Sequence, residues 1–335
     1  MAQELKCREH DAVRKAVGIY DFTHQLLEVT GKDAGAFLDK VFVNGFSRAK
    51  VGQAKYTTML DEDGIIRDDV IIFRMEEECY WISTLYIDKM IAHFDQVKQD
   101  EDVAYRDRTK ETSMIAVQGP KVRQVLNTLL GEAVDGIKRF HIVPNTLGTQ
   151  KIFVARSGFT GELGYELYLA PNTVDATMKA LEEAGKKCGV EVTRMTTDAI
   201  LTSLPREKGY VLMSDLEGTN PLEVGFDWTV DWSKDFIGKE ALDKVKKEGA
   251  KRALLGFRTE NAELSLAPGA EVLAEGKSVG KVTMFTESLT LDGGIGYALV
   301  NLADVKEGDT VTVAGVKTTL VPRVFYDADD ERIKA

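Results

Sequence analysis

The stretch Arg156-Ser157-Gly158-Phe159-Thr160-Gly161-Glu162-Leu163-Gly164-Tyr165-Glu166-Leu167-Tyr168-Leu169 places three glycines ahead of an alternating run. Glycine reaches backbone conformations closed to other residues, so the stretch reads as a tight turn feeding a strand. Glu166 is the anomaly in that strand. Either it faces water or an arginine of the same chain, or it is buried and needs a partner that donates hydrogen bonds.

Outward from this stretch, Lys151–Ala155 reads as the strand entering the turn and Asn172–Cys188 as an amphipathic helix after it. Upstream, Ser113–Val117 is a short apolar strand ended by Gln118-Gly119-Pro120, and Lys121–Leu130 follows as a helix. Nearer the N-terminus, Tyr20–Val29 reads as a strand, and a helix capped at Asp33 buries Phe37 and Leu38. Lys55–Leu60 and Ile65–Phe73 flank a hairpin with Asp63-Gly64 at its tip. Ile87–Val97 has helical spacing. Asp198–Leu204 looks helical, limited by Pro205, and Asp227–Val230 reads as a strand.

Asp68 and Asp69 interrupt the return strand of that hairpin. Neighbouring strand residues point to opposite faces, so the two cannot share one site as a carboxylate dyad. One is expected at solvent or a turn and the other inside. An inward aspartate is either a base or charge stabiliser, or a structural group bonding a nearby turn.

From Arg252 onward short alternating strands follow closely: Ala253–Phe257, Glu271–Leu273, Ser278–Phe285, Gly294–Val300, Thr310–Val313 and Lys317–Val321. Glycine-bearing turns separate several of them. This is the pattern of a small all-β module, a barrel, with its boundary near residues 243–252.

The 335 residues suffice for about two or three modules. A net charge of -11 argues against broad nucleic-acid binding. The three cysteines form no CxxC pair, and the four histidines stand at no metal-ligand spacing, so neither a disulfide framework nor a metal site is expected. With no apolar run of the ~20 residues that span a bilayer, a cytoplasmic protein without membrane contact is the expectation.

Several pieces recur together, in this order, in one family. They are Gly18-Ile19-Tyr20-Asp21-Phe22-Thr23-His24, Leu60-Asp61-Glu62-Asp63-Gly64-Ile65-Ile66-Arg67-Asp68-Asp69, Ala116-Val117-Gln118-Gly119-Pro120, and the glycine run itself. Arg206-Glu207-Lys208-Gly209-Tyr210, Asn220–Phe226, Phe236–Leu242 and Ile295-Gly296-Tyr297-Ala298 continue the series. Nearly the whole chain resembles the aminomethyltransferase (T-protein) family of the glycine cleavage system and its folate-dependent relatives. The resemblance implies an α+β, three-module folate-binding fold with a C-terminal β-barrel. Residues 1–243 would form two α+β modules, split near 50 and 150, and residues 252–330 the barrel.

The resemblance also implies roles. Tetrahydrofolate would be the cofactor. Glu166 would hold the pterin, whose adjacent N–H donors suit a carboxylate, and Asp69 would act catalytically beside the folate nitrogen that takes the one-carbon unit. Tyr80 would contact folate, and Tyr56 and Phe159 would line the pocket. The chain also departs from the family pattern. It begins almost at the matching Glu9-His10, which implies that part of one substrate wall is missing. Tyr56 replaces a smaller aliphatic residue and Thr84 an asparagine. Leu201 stands at a folate-contacting arginine, Pro205 replaces an arginine of the following run with Arg206 as the adjacent substitute, and the barrel arginine expected near Leu264–Leu266 is absent.

These departures favour a tetrahydrofolate-dependent transferase that takes a methyl group from a small O-, S- or N-methyl donor. The first alternative is the glycine-cleavage aminomethyltransferase, working with a lipoyl carrier protein. The second is a non-catalytic folate-binding module.

Overall fold

The computed structural model describes residues 2–260, 264 and 266–335, without the side chains of residues 2, 197 and 198. Of the segment expected to lack a barrel arginine, residue 265 lies outside this description. No helix among the described residues is long and apolar enough to cross a membrane.

Two antiparallel-rich sheets lie face to face. The first has five strands in the order Ala54–Leu60, Ile66–Glu76, Cys79–Thr84, Gln25–Thr30, Ala104–Asp107. The second has six, in the order Val192–Arg194, Val17–Asp21, Ser113–Gln118, Gly164–Leu169, Gln150–Ala155, Ile142–Leu147. Alternation sends Phe73 and Trp81 from the first sheet toward Tyr168 and Phe153 of the second. The ring pairs Phe73–Tyr168 and Trp81–Phe153 lie 5.5 and 5.3 Å apart, centroid to centroid. On its outer face each sheet packs helices. Ala34–Val41 and Ile87–Val97 cover Val70, Ile72 and Ile82, while Val122–Leu129 and Val174–Cys188 cover Ile115, Val117 and Leu167.

The sheets do not follow a division near residues 50 and 150. The five-stranded sheet is built from residues 25–107, and the six-stranded sheet takes residues 17–21 and then residues 113–194. Pairing of Val17–Asp21 with Ser113–Gln118 is a long-range choice that no local pattern announces.

Residues 252–321 close into a six-stranded barrel in the order Arg252–Thr259, Gly293–Asn301, Lys277–Ser288, Glu271–Ala274, Thr310–Val313, Val316–Val321. One apolar cluster joins the barrel to the rest, where Leu254, Met284 and Tyr297 meet Val43, Leu60, Ile66 and Phe226. Two local expectations fail. Asp227–Thr229 is a 3-10 turn, because the Thr229 hydroxyl closes back on the Phe226 carbonyl at 2.7 Å. Pro205 lies within the short helix Ser203–Glu207, in its first turn, where no helical N–H is needed.

Candidate active site

Two rows of three residues run across the six-stranded sheet. Gly18, Gln118 and Gly164 form one, and Tyr20, Ala116 and Glu166 the next. A Cβ on Gly158 or Gly164 would stand 2.0 or 2.2 Å from the Gln118 amide oxygen, so these glycines make room for that side chain. Gln118 in turn donates to the Ser157 carbonyl at 3.2 Å, which fixes the glycine turn. In the next row, small Ala116 lets the longer Tyr20 and Glu166 side chains share the same face of the sheet.

Glu166 is buried at 7% exposure. Its Oε2 accepts from the Ser157 hydroxyl at 2.6 Å and the Tyr168 hydroxyl at 3.1 Å. Nothing among the described residues donates to its Oε1. Burial raises its pKa, against those two donors. The buried Tyr20 hydroxyl likewise has no hydrogen-bond partner among the described residues. Of the two readings open for Glu166, water or an arginine partner is therefore excluded: it is a buried carboxylate with one oxygen unengaged. Aromatic rings extend from this point. Tyr20 meets Phe22 at 5.4 Å, Phe22 stacks toward Phe159 at 6.4 Å, and Phe159 stacks on Tyr210 at 5.4 Å.

Asp68 and Asp69 do point to opposite faces, but neither is at solvent. Asp68 lies on the helix-covered side at 2% exposure and accepts from the Thr84 hydroxyl at 2.7 Å. Burial pushes its pKa up to about 7. Asp69 lies on the inner face, partly buried. Its Oδ2 accepts from the Tyr56 hydroxyl at 2.8 Å, and burial pushes its pKa up to about 6. A register shift between Met59 and Leu60 immediately precedes the pair, and such irregularities re-aim strand side chains. Tyr56 also meets Phe226 edge-on at 5.3 Å and stacks on Trp228 at 6.0 Å.

Tyr80 and Arg206 need correction. Tyr80 shares the outer face with Ile82 and Val70, is 1% exposed, and turns its hydroxyl toward the Phe46 carbonyl at 3.4 Å. The inward residue of that strand is its neighbour Trp81. Arg206 is buried and committed: its guanidinium pairs with Asp215 at 2.5 Å and donates to the Tyr210 carbonyl at 3.2 Å. It is not free to stand in for the arginine that Pro205 replaces, and at the folate-contacting position Leu201 has an exposed side chain.

Four residues that the sequence reading did not single out belong to the same surroundings: Tyr20, Tyr210, Trp228 and Arg323. Arg323 donates to the Gly209 carbonyl at 2.9 Å and lies over the Phe226 ring at 5.3 Å. Gly209 and Phe226 fall in motifs quoted above, which was the available signal for the residues around them.

Comparison with known proteins places this arrangement. The GCVT N-terminal domain matches residues 2–234, and the glycine cleavage T-protein C-terminal barrel domain matches residues 252–327. The chain is 33% identical over 311 residues to the aminomethyltransferase of Halothermothrix orenii, an alignment covering 91% of this chain and 86% of that protein. It is 34% identical over 333 residues to the aminomethyltransferase of Bacillus subtilis, covering 95% and 90%. The crystal structure of glycine cleavage system aminomethyltransferase T from Bartonella henselae shares the fold, with a TM-score of 0.85 at 24% identity over 96% of this chain and 90% of that one. The expected resemblance and fold class therefore hold, and this chain belongs to the glycine cleavage T-protein, or aminomethyltransferase, family of enzymes.

Proposed function

We propose that this enzyme transfers the carbon of an aminomethyl group from a lipoyl carrier protein to tetrahydrofolate. The observation that carries the reading is the unengaged Oε1 of buried Glu166 beside the unpaired Tyr20 hydroxyl. A pterin edge presents adjacent N–H donors and a carbonyl acceptor, which complement a carboxylate oxygen and a phenol O–H. The flanking Phe159 and Tyr210 rings offer apolar walls for a flat ring system. Glu166 would anchor the pterin, and Phe159 and Tyr56 would line its pocket.

The names of the relatives favour aminomethyl transfer over the broader methyl-transfer reading that Tyr56 and Leu201 had suggested. Tetrahydrofolate, when bound, supplies two nucleophilic nitrogens that together take the carbon. Overall, the carbon's bonds to sulfur and to nitrogen break and two bonds to the folate nitrogens form. The two protons released go to the lipoyl thiol and to ammonia, with no oxidation or reduction.

Asp69 would hold the reacting ammonium and the proton traffic. In its ionised form it stabilises positive charge on the aminomethyl carbon and nitrogen, and Tyr56 keeps it oriented through the 2.8 Å hydrogen bond. Holding both reactants against these groups supplies much of the acceleration. The test is to mix enzyme, tetrahydrofolate and aminomethyl-lipoyl carrier and to measure ammonia. The expected result is ammonia release that requires folate. Methyl donors yielding methylated folate, with no ammonia from the carrier, would instead restore the broader reading.

A further inference from the structure

Trp228 is the most exposed large apolar side chain among the described residues, at 62%. It is nevertheless held firmly. Its 3-10 turn is closed by the Thr229 hydroxyl on the Phe226 carbonyl at 2.7 Å and by the Val230 amide on the Asp227 carbonyl at 3.1 Å. The next residue, Asp231, donates its amide to the Val43 carbonyl at 2.9 Å. An exposed indole carried on a backbone closed in this way and stacked on Tyr56 is a contact surface that costs little to order.

Its position gives that surface a direction. The indole lies within 20° of parallel to Tyr56, and the Tyr56 hydroxyl reaches Asp69. Exposed indole, partly buried phenol and carboxylate thus form one line from the surface to the reacting centre. At the inner end, Asp69 accepts from Tyr56 and forms no ion pair among the described residues. Asp215 acts on Asp69, and Arg206 is already paired with Asp215. Arg323, held by the Gly209 and Val224 carbonyls and over the Phe226 ring, is near enough to Tyr56 and Asp215 to act on both.

We propose that Trp228 and Tyr56 form the platform that receives the donor arm, and that Trp228 sets the preference for it. The arm that fits is thin and flexible, with sulfur atoms along it and a primary ammonium at its end as its one charge. Thioether sulfur and ammonium are both attracted to aromatic faces, and the carboxylate at the inner end completes the path for the cation. A compact methylated metabolite would sit against Asp69 and have no use for a ring at the rim. This assignment rests on the aminomethyl-transfer reading.

The test uses the full chain with W228A and W228F, and two probes, dihydrolipoamide and tetrahydrofolate, titrated by calorimetry. Dihydrolipoamide binding is expected to weaken about tenfold in W228A and to recover to within about threefold of wild type in W228F. Tetrahydrofolate binding is expected to stay within about twofold in both variants, which also reports that they fold. Undetectable dihydrolipoamide binding to the wild type, or equal binding to W228A, would overturn the assignment. So would a matching loss of tetrahydrofolate affinity, since Trp228 would then cover the folate. A wild-type enzyme that binds dihydrolipoamide yet releases no ammonia from the loaded carrier would sink the transfer reading and leave the Trp228 comparison standing.

Discussion

The Tyr56 hydroxyl donates to Asp69 at 2.8 Å from the neighbouring strand, diagonally across one face of the sheet. Burial raises the Asp69 pKa to about 6, while the Tyr56 hydrogen bond pulls it the other way. The carboxylate is therefore ionised at neutral pH but titrates close enough to it to be seen in a rate profile.

With Asp69 acting in its ionised form, as proposed, turnover should rise with pH through an acid limb near 6. Y56F removes a hydrogen bond to that ionised form, so the limb should move to higher pH. A pH profile of kcat/KM for the donor checks both the limb and the direction of its movement.

D69N should lower kcat by about 100-fold or more while leaving tetrahydrofolate affinity nearly unchanged. Single-turnover kinetics beside equilibrium binding separate the two effects. A variant that loses folate affinity and keeps kcat would make Asp69 a structural residue.

E166Q puts an amide donor against the pterin donors and should weaken folate binding by about 1–3 kcal/mol. Calorimetric titration with tetrahydrofolate measures this directly. Unchanged affinity would remove Glu166 from the pocket.

G164A brings a Cβ within 2.2 Å of the Gln118 amide oxygen. Gln118 cannot swing away without losing its bonds to the Ser157 and Tyr165 carbonyls. A destabilisation of about 1–3 kcal/mol is expected, with weaker folate binding as Ser157 shifts against Glu166. Chemical denaturation and folate titration read the two consequences.

Arg14 and Glu207 form a buried pair at 2.7 Å that joins the helix Ala2–Lys15 to the segment before the barrel. Glu207 also accepts from Ser288 and Thr290 on the barrel side. R14A leaves that carboxylate without its cation and should cost about 3–5 kcal/mol, read as a lower urea midpoint.

What could be read from the sequence divides along the range of the interactions. Strand alternation and turn glycines are local, so the barrel strands and the turn before Glu166 were legible from spacing. The facing of Tyr80 was not, since a one-residue choice of register exchanges it with Trp81 on the inner face. Arg206 read as a free cation because Asp215, which neutralises it, lies in the next short helix, Met213–Leu216, and meets it only when the chain turns back between the two. Asp227–Val230 read as a strand because Trp228, Thr229 and Val230 favour one, while a hydroxyl bonding back to the chain decided for a turn. The opposed facing of Asp68 and Asp69 followed from strand geometry alone. The burial of both needed the helices on one side and the Tyr56–Phe226 contact on the other.

The most direct test of the account is the product balance of the wild-type enzyme with tetrahydrofolate and aminomethyl-lipoyl carrier. The account predicts ammonia and methylenetetrahydrofolate in equal amounts, with both lost together in D69N. Ammonia released without methylenetetrahydrofolate, or equal turnover by D69N, would contradict it.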